Sequence, residues 1–340
     1  MTTSAPEGWL GQSGLPWNIL LAADVVPPPA GILHERLEAL ASRQGWPVGM
    51  AGAVVEGDRP DVLRRLAART DHRLPVAVGR TPEGVVVGAH HAYVDGLGLL
   101  TVLGALCATP VISRAVGVDE GRASARDAVS LVRRLAEVAV RPPAGVAGDG
   151  DGTDPDDVFA STTLDGPVRT AALVHAGAGA VADANRERGH RSDRVAVAVG
   201  VARAGGTRTQ VADDSGFLRL TDVERLAPAE VEAAIGRAPL QFGGSAQGGV
   251  ARAASGLIRT GARLLAPRLG STLLVSHLGR IDADGLDAIA FHPLAGGGSG
   301  VSLGAASVRG RTVLTLRARG AAHTTVDLER LIGRIADRLH

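Results

Sequence analysis

Residues 84–108 read GVVVGAHHAYVDGLGLLTVLGALCA and contain the segment His90-His91-Ala92-Tyr93-Val94-Asp95-Gly96. The valine-rich residues before the two histidines predict a β-strand, and residues 99–108 predict an apolar helix that begins just after Asp95. His90 and His91 are therefore expected at the end of a strand, in a tight loop that leads into a helix. Open α/β architectures place functional residues at such junctions.

The residue types in this loop suit proton transfer. A neutral imidazole has an unperturbed pKa of about 6.5, so it accepts a proton from an alcohol or amine nucleophile near neutral pH. The ring needs a fixed orientation and one free nitrogen, and a short loop can hold it through the other nitrogen. Gly96 permits a backbone angle or a close approach that a β-carbon would block. We expect Asp95 to fix the loop by an ion pair.

The rest of the first half mixes strands with helices. Residues 75–79 and 85–89 flank a turn-forming segment and predict a hairpin that leads into the histidines. The other predicted elements are a strand at 17–26, a helix at 31–43, a strand at 48–55, and helices at 61–69 and 122–140.

The Gly-, Asp- and Pro-rich segment 144–157 predicts a linker. It divides the chain into an N-terminal lobe of residues 1–143, which contains the two histidines, and a C-terminal lobe of residues 158–340. A chain of 340 residues exceeds what one hydrophobic core usually holds, which also favours two lobes. The elements predicted for the second lobe are strands at 168–175, 194–202, 272–276 and 286–291, helices at 179–188, 228–236 and 249–269, a hairpin of 300–308 with 312–317, and a closing helix at 326–339.

Composition excludes several classes of function. The formal net charge is +1, and no arginine-rich block with interleaved aromatic residues occurs, so nucleic acid is not expected as a ligand. Cys107 is the only cysteine, which excludes an internal disulfide and a multi-thiolate metal site. No ligand spacing predicts a metal site, and we interpret His175, His292 and His323 as structural. The N-terminus lacks the pattern of a secretory signal, and no apolar run reaches the roughly 18 to 20 residues of a transmembrane helix, so we expect a cytoplasmic protein without a membrane span.

Two segments resemble known motifs. The pattern His-His-x-x-x-Asp-Gly at 90–96 resembles the HHxxxDG motif of the superfamily that contains chloramphenicol acetyltransferase, peptide-synthetase condensation domains, carnitine acyltransferases and wax-ester synthases. Residues 274–279, LVSHLG, resemble the V-S-N-x-G region of condensation-like enzymes, with His277 in place of the usual asparagine. By the order of its elements the resemblance extends to the last helix, although the chain is shorter than full condensation domains.

The resemblance implies an α+β fold of two lobes, each with a mixed β-sheet and helices, arranged as the pseudo-dimer of chloramphenicol acetyltransferase. In such families the second histidine of the motif lies in a tunnel between the lobes, where a pantetheine arm enters from one face and the acceptor from the other. His91 would then be the general base or a residue that positions the substrates, with His90, Asp95 and Gly96 as structural support. Asp95 would pair with an arginine, for which Arg203 is the candidate.

Tyr93, Ser276 and His277 are candidates for lining this tunnel. Each also has a plainer interpretation, in which Tyr93 fills the loop, Ser276 ends a strand, and His277 is a buried, hydrogen-bonded histidine. Ser276 would alternatively offer its hydroxyl to a developing oxyanion, as a serine does in chloramphenicol acetyltransferase.

The resemblance thus implies transfer of an acyl group from a phosphopantetheine thioester to a hydroxyl or amine of a small molecule in specialised metabolism. The donor would be coenzyme A or an acyl or peptidyl carrier protein, acting as co-substrate, with no permanently bound cofactor. Two alternatives stay open. One is a cyclase or isomerase of a biosynthetic intermediate, which His277 and the short chain favour, and the other is a non-catalytic docking module. A through-tunnel centred on His91 favours transfer, a closed pocket favours a cyclase, and the absence of both favours docking.

Overall fold

A computed structural model of the chain describes residues 17–46, 54–70, 75–117, 142–202, 211, 213–240, 271–295 and 300–340. Within these ranges the chain forms six helices and two mixed β-sheets, arranged as two lobes. The strands are β1 (Asn18–Asp24), β2 (Val55–Glu56), β3 (Val76–Thr81), β4 (Gly84–His90), β5 (Val111–Ser113), β6 (Asp157–Asp165), β7 (Val197–Ala202), β8 (Ser215–Leu220), β9 (Leu273–Ala283), β10 (Ala288–His292), β11 (Val301–Val308) and β12 (Arg311–Arg319). The helices are α1 (Ala30–Gln44), α2 (Arg59–Ala67), α3 (Gly96–Cys107), α4 (Thr170–Glu187), α5 (Pro228–Arg237) and α6 (Thr325–Asp337).

The sheet of the first lobe has the strand order β10-β1-β4-β3-β2. Helices cover both of its faces, which explains why β4 reads as a continuous apolar run instead of alternating with polar residues. Val85 and Val87 point into the core shared with α1 and α3, whereas Val86 points into the smaller core under α2. β1 lies antiparallel to β4, with Asn18 opposite His90.

The sheet of the second lobe has the order β6-β12-β11-β9-β7-β8, and β5 pairs with the far end of β9. β7, β9 and β11 are parallel to one another, and the other pairs are antiparallel. One face packs against α4 and α6 around Leu173, Val275, Leu303 and Leu331. The opposite face turns towards the first lobe.

Each lobe contributes a strand to the sheet of the other. β10 comes from the second half of the sequence but pairs antiparallel with β1, and β5 comes from the first half but pairs with β9. β10 reaches the first sheet by crossing closely over β11 at Gly304. A β-carbon at Gly304 would lie 1.8 Å from the carbonyl oxygen of Phe291 in β10, and Thr315 of β12 donates a hydrogen bond to that same oxygen.

The two predicted hairpins, the strand at 17–26, the helix at 31–43, the helix after Asp95 and the closing helix are confirmed. The prediction of a strand at 168–175 is wrong, because α4 begins at Thr170 and buries Leu173, Val174 and Val181 at helical spacing. β6 was not predicted. Its residues 161–163 are Ser-Thr-Thr, and this edge strand is only partly buried, so its alternation is weak.

The segment that we expected to be a linker lies along the surface of the second lobe as an extended strap, residues 144–156. Asn185 of α4 holds its start, accepting from the amide of Ala147 at 2.9 Å and donating to the carbonyl of Gly145 at 2.8 Å. The amides of Gly150 and Gly152 donate to the turn before α6. A β-carbon on Gly150 would lie within 2.6 Å of that turn, so this glycine permits a close backbone approach.

Some predictions concern residues outside the described ranges. They are the helices at 122–140 and 249–269, most of the strand at 48–55, and Arg203 as the partner of Asp95.

Candidate active site

The loop between β4 and α3 is anchored through its backbone. The amide of His90 donates to the carbonyl of Pro75 at 2.8 Å, and the amide of His91 donates to the carbonyl of Trp17 at 2.8 Å. Within the turn, the amides of Tyr93 and Val94 both donate to the carbonyl of His90. The backbone on both sides of the His91 ring is therefore fixed, which is what a reacting side chain requires.

The ring of His91 is half-buried, and its Nδ1 lies 3.4 Å from the carbonyl oxygen of Val94. A carbonyl oxygen only accepts hydrogen bonds, so this contact is a hydrogen bond in the tautomer that carries its proton on Nδ1. In that tautomer Nε2 is the unprotonated nitrogen, as the sequence interpretation requires of a proton acceptor.

His90 and Tyr93 make the contacts of loop-forming residues. The Nδ1 of His90 accepts from the amide of Ala92 at 3.3 Å. The two rings meet edge to face, with their centroids 5.7 Å apart, and Tyr93 packs against the core of the first lobe. The sequence interpretation of Tyr93 as a residue that fills the loop fits these contacts.

Asp95 begins α3 as its N-cap and is only 2% exposed. One carboxylate oxygen accepts from the amide of Gly98 at 2.7 Å, and the other accepts from the amide of Asp214 at 3.1 Å. Asp214 precedes β8, so this carboxylate joins the histidine loop to the second lobe. These two bonds fix the loop through backbone amides, and the predicted ion pair with Arg203 lies outside the described residues.

Gly96 is the point at which the loop meets the second lobe. A β-carbon there would lie 2.7 Å from a methyl group of Leu278 in β9 and 3.2 Å from the ring of Phe291 in β10. Gly96 therefore allows the expected close approach, and the side chain that approaches is that of Leu278. Leu278 belongs to the second motif, 274–279, so the two motifs of the sequence lie side by side.

Ser276 and His277 lie on opposite faces of β9. Ser276 pairs with Gly200 and Gly304 on the face turned towards the first lobe, and its hydroxyl lies 3.0 Å from where a β-carbon of Gly200 would be. His277 lies on the helix face, with Nδ1 3.1 Å from the hydroxyl of Thr170 in α4. A channel along the first-lobe face would meet Ser276 and not His277.

His277 is an uncharged side chain at neutral pH. Burial lowers its pKa to about 4, and within the described part of the chain its buried Nε2 has no hydrogen-bond partner. The contact of Nδ1 with Thr170 fits the interpretation of a buried, hydrogen-bonded histidine, whereas Nε2 does not contribute to it. His292, which we interpreted as structural, is also buried, and burial lowers its pKa to about 3.

Sequence reasoning missed Arg317, the largest fully buried side chain of the described residues. Its guanidinium contacts Asp157 of β6 at 2.5 and 2.6 Å and lies over the ring of Phe159. The only signal was a charged residue inside the apolar run of 312–318. An arginine in such a position needs a buried partner.

The described ranges hold no group of three or more His, Cys, Asp or Glu side chains that could bind a metal ion. No helix in the same ranges combines the length and the apolar character that crossing a membrane requires.

No protein-family model matches the sequence, and comparison with curated proteins finds no match. Solved structures do match the fold. The first condensation domain of the calcium-dependent antibiotic synthetase, in complex with a substrate analogue, superposes with a TM-score of 0.55 at 18% identity, covering 100% of this chain and 95% of that one. SgcC5 from Streptomyces globisporus, in complex with a naphthyl ethanediol and sucrose, gives a TM-score of 0.55 at 14% identity, covering 96% and 92%. The epimerization domain from the third module of tyrocidine synthetase B gives a TM-score of 0.50 at 12% identity, covering 95% and 90%. This chain therefore has the two-lobed α+β fold of condensation domains.

Proposed function

We propose that this protein is an acyltransferase of condensation type, which moves an acyl group from a phosphopantetheine thioester to a hydroxyl or amine of a small molecule. The observation on which the proposal depends is the placement of His91. Its amide donates to the carbonyl of Trp17 and its Nδ1 faces the carbonyl of Val94, which leaves Nε2 as the nitrogen that would accept a proton. Such a ring is arranged to accept a proton from a nucleophile.

The chemical step uses one proton and one bond exchange. The Nε2 of His91 takes the proton of the acceptor hydroxyl or amine as that oxygen or nitrogen attacks the thioester carbonyl. The carbon–sulfur bond then breaks, and the thiolate takes the proton from the imidazolium. The alternative role for His91 is to hold the acceptor in line for attack, and in that role the ring donates or accepts a hydrogen bond without transferring the proton.

The matched structures support the class of substrate. One of them is a condensation domain in complex with a substrate analogue, and that domain is part of an antibiotic synthetase. SgcC5 is seen with a diol, which agrees with a hydroxyl acceptor. We infer natural-product biosynthesis as the setting, and an acyl or peptidyl carrier protein, or acyl coenzyme A, as the donor.

A second candidate is an isomerase that acts on a carrier-bound intermediate. It is favoured by the similarity to an epimerization domain, because the same proton-accepting nitrogen of His91 would serve to remove a proton from carbon. A non-catalytic docking module is the third possibility, and it needs no such nitrogen.

The test is mass spectrometry of wild type, His91→Ala and His34→Ala, each incubated with acyl thioesters of coenzyme A and of carrier proteins and with pooled alcohols and amines. His34 is a partly exposed histidine of α1, outside the histidine loop, so its replacement is a matched control. We expect new acyl product from wild type and His34→Ala, and a reduction of about a hundredfold or more in His91→Ala, since base catalysis contributes about 10² to 10⁴ in rate.

The other outcomes separate the candidates. Inverted or cyclised thioester without acyl product identifies an isomerase or cyclase. Absence of any conversion, or conversion unaffected by His91→Ala, contradicts the proposal.

A further inference from the structure

Arg317 is a charged side chain of the second lobe that contacts the backbone of the first. It is fully buried in β12, and its Nη1 donates to the carbonyl oxygen of Asn18 in β1 at 2.6 Å. The same nitrogen lies 3.4 Å from the carbonyl of Pro293, just after β10. One guanidinium therefore reaches the ends of two strands of the first sheet.

The carbonyl of Asn18 lies where strand pairing has stopped. The ladder between β1 and β10 ends at Leu20, opposite His292, because the chain leaves the sheet at Pro293. A buried carbonyl needs a donor, and no backbone amide of β10 pairs with Asn18. Arg317 provides this donor from the side chain, in place of the missing strand.

Asn18 is next to the residue that anchors His91. The amide of His91 donates to the carbonyl of Trp17, and Asn18 itself lies opposite His90 in the β1–β4 register. The amide group of the Asn18 side chain is fixed as well, through the carbonyls of Ala67 and Arg69 at the end of α2. The start of β1 is thus held from several sides, and the histidine loop is hydrogen-bonded to the residue just before it.

We propose that Arg317 is a positioning residue for His91, an inference that rests on the proposed function for its catalytic consequence but not for its structural one. Through the carbonyl of Asn18 it fixes the first residue of β1, and the residue just before it, Trp17, accepts the hydrogen bond from the amide of His91. The second lobe thereby sets the place of the histidine that belongs to the first lobe.

The charge of Arg317 is not the feature that this role needs. Asp157 has a second arginine partner, since Nη1 of Arg319 lies 2.9 Å from its other carboxylate oxygen. What Arg317 alone provides is a planar group that contacts Asp157 and Asn18 at once. A lysine at 317 would keep a cation beside Asp157 but would lack the fork that reaches both partners.

Hydrogen exchange of the His91 amide tests the structural part without any substrate. In Arg317→Lys we expect this amide to exchange about tenfold faster or more relative to amides of α4, because a hydrogen bond from a charged donor is lost at its support. The control is Leu331→Ala, which opens a cavity in the core of the second lobe, away from β1. If the His91 amide is accelerated no more in Arg317→Lys than in Leu331→Ala, the inference is wrong.

Hydrogen exchange of the wild-type protein tests the support of His91 even if Arg317→Lys does not fold. The His91 amide, although it lies just beyond the last residue of β4, should be protected to within about tenfold of the mid-strand amide of Val87, as expected for a supported strand end. Exchange a thousandfold faster than Val87 would contradict a fixed support.

The catalytic consequence of the inference is tested by measuring kcat and KM. Arg317→Lys should lower kcat with little change in KM for the thioester, whereas Leu331→Ala should lower neither while it stays folded. Accelerated exchange together with wild type that turns over no thioester would leave the positioning inference standing and remove the proposed function. Normal exchange with reduced kcat would remove the inference and leave the proposed function standing.

Discussion

Replacing Gly304 of β11 with alanine should destabilise the protein strongly, because there is no room for the added methyl group. The added β-carbon would lie 1.8 Å from the carbonyl oxygen of Phe291, 2.6 Å from the hydroxyl of Thr315 and 2.8 Å from Pro293. The closest of these atoms belongs to backbone, so it cannot rotate away as the end of a flexible side chain would. β10 would have to retreat by about 1.2 Å to restore even a 3.0 Å contact.

The magnitude follows from two effects. Overpacking of a core typically costs about 1–3 kcal/mol, and weakening the hydrogen bond from Thr315 to Phe291 adds about 1 kcal/mol. We therefore expect Gly304→Ala to lower the free energy of unfolding by about 3 kcal/mol, measured by urea denaturation followed by circular dichroism. The matched control is Gly333→Ala on α6, where a β-carbon meets nothing within 4 Å. The same substitution should stabilise there by up to about 1 kcal/mol, through helix propensity.

A loss of less than about 0.5 kcal/mol for Gly304→Ala would refute the reasoning, since a surface substitution produces as much. It would mean that β10 does not cross β11 at this position. A loss of stability in Gly304→Ala together with a gain in Gly333→Ala would confirm that the sign of a Gly→Ala change depends on what the methyl group meets.

Two further predictions concern pH. Burial lowers the pKa of His277 to about 4. Between about pH 6.5 and pH 4 the histidine is therefore protonated in the unfolded chain but neutral in the folded one. The free energy of unfolding of wild type should fall by up to about 3 kcal/mol as the pH is lowered through this range. His277→Asn should lose correspondingly less over that window in urea titrations at each pH, and an unchanged dependence would contradict a neutral, buried His277. Burial alone would raise the pKa of Asp327, but hydrogen bonds from Arg188, the Asp149 amide and Thr324 outweigh it and hold that pKa below its usual range. Its stabilisation is complete above about pH 4 and is lost as the pH falls further, so thermal unfolding of Asp327→Asn should depend less on pH below 4 than that of wild type. A parallel decline of the two proteins would show that Asp327 is not the titrating group.

The sequence predicted those elements whose pattern is local. The hairpin of β3 and β4 and the hairpin of β11 and β12 have apolar strands on either side of turn residues, and both occur as expected. The strand predicted at 168–175 failed because eight residues are too few to separate the two periods. The helical spacing of α4 becomes evident only when Val181 is included. The exchange of β5 and β10 between the lobes had no local signal, since it depends on where distant strands have open edges.

The strand, loop and helix around the two histidines were predicted because their signals are local, with the turn and its glycine within seven positions. The N-cap role of Asp95 was not predicted, although an acidic residue just before a helix is a common N-cap. Ser276 and His277 were grouped as tunnel candidates, although alternation along a strand places neighbours on opposite faces. Arg317 could not be assigned, because its partners Asn18 and Asp157 are separated from it by 299 and 160 positions.

The membership of β10 in the first sheet also determines when the molecule can be completed during its synthesis. About 180 residues separate the end of α3 from His292. At about 5–20 residues per second, a ribosome needs roughly 10 to 40 s to make them. Throughout that interval the nascent first lobe displays the amides and carbonyls of the β1 edge, an open template for pairing with other chains. Assembly of this protein in a cell therefore depends on keeping that edge covered until its own strand arrives.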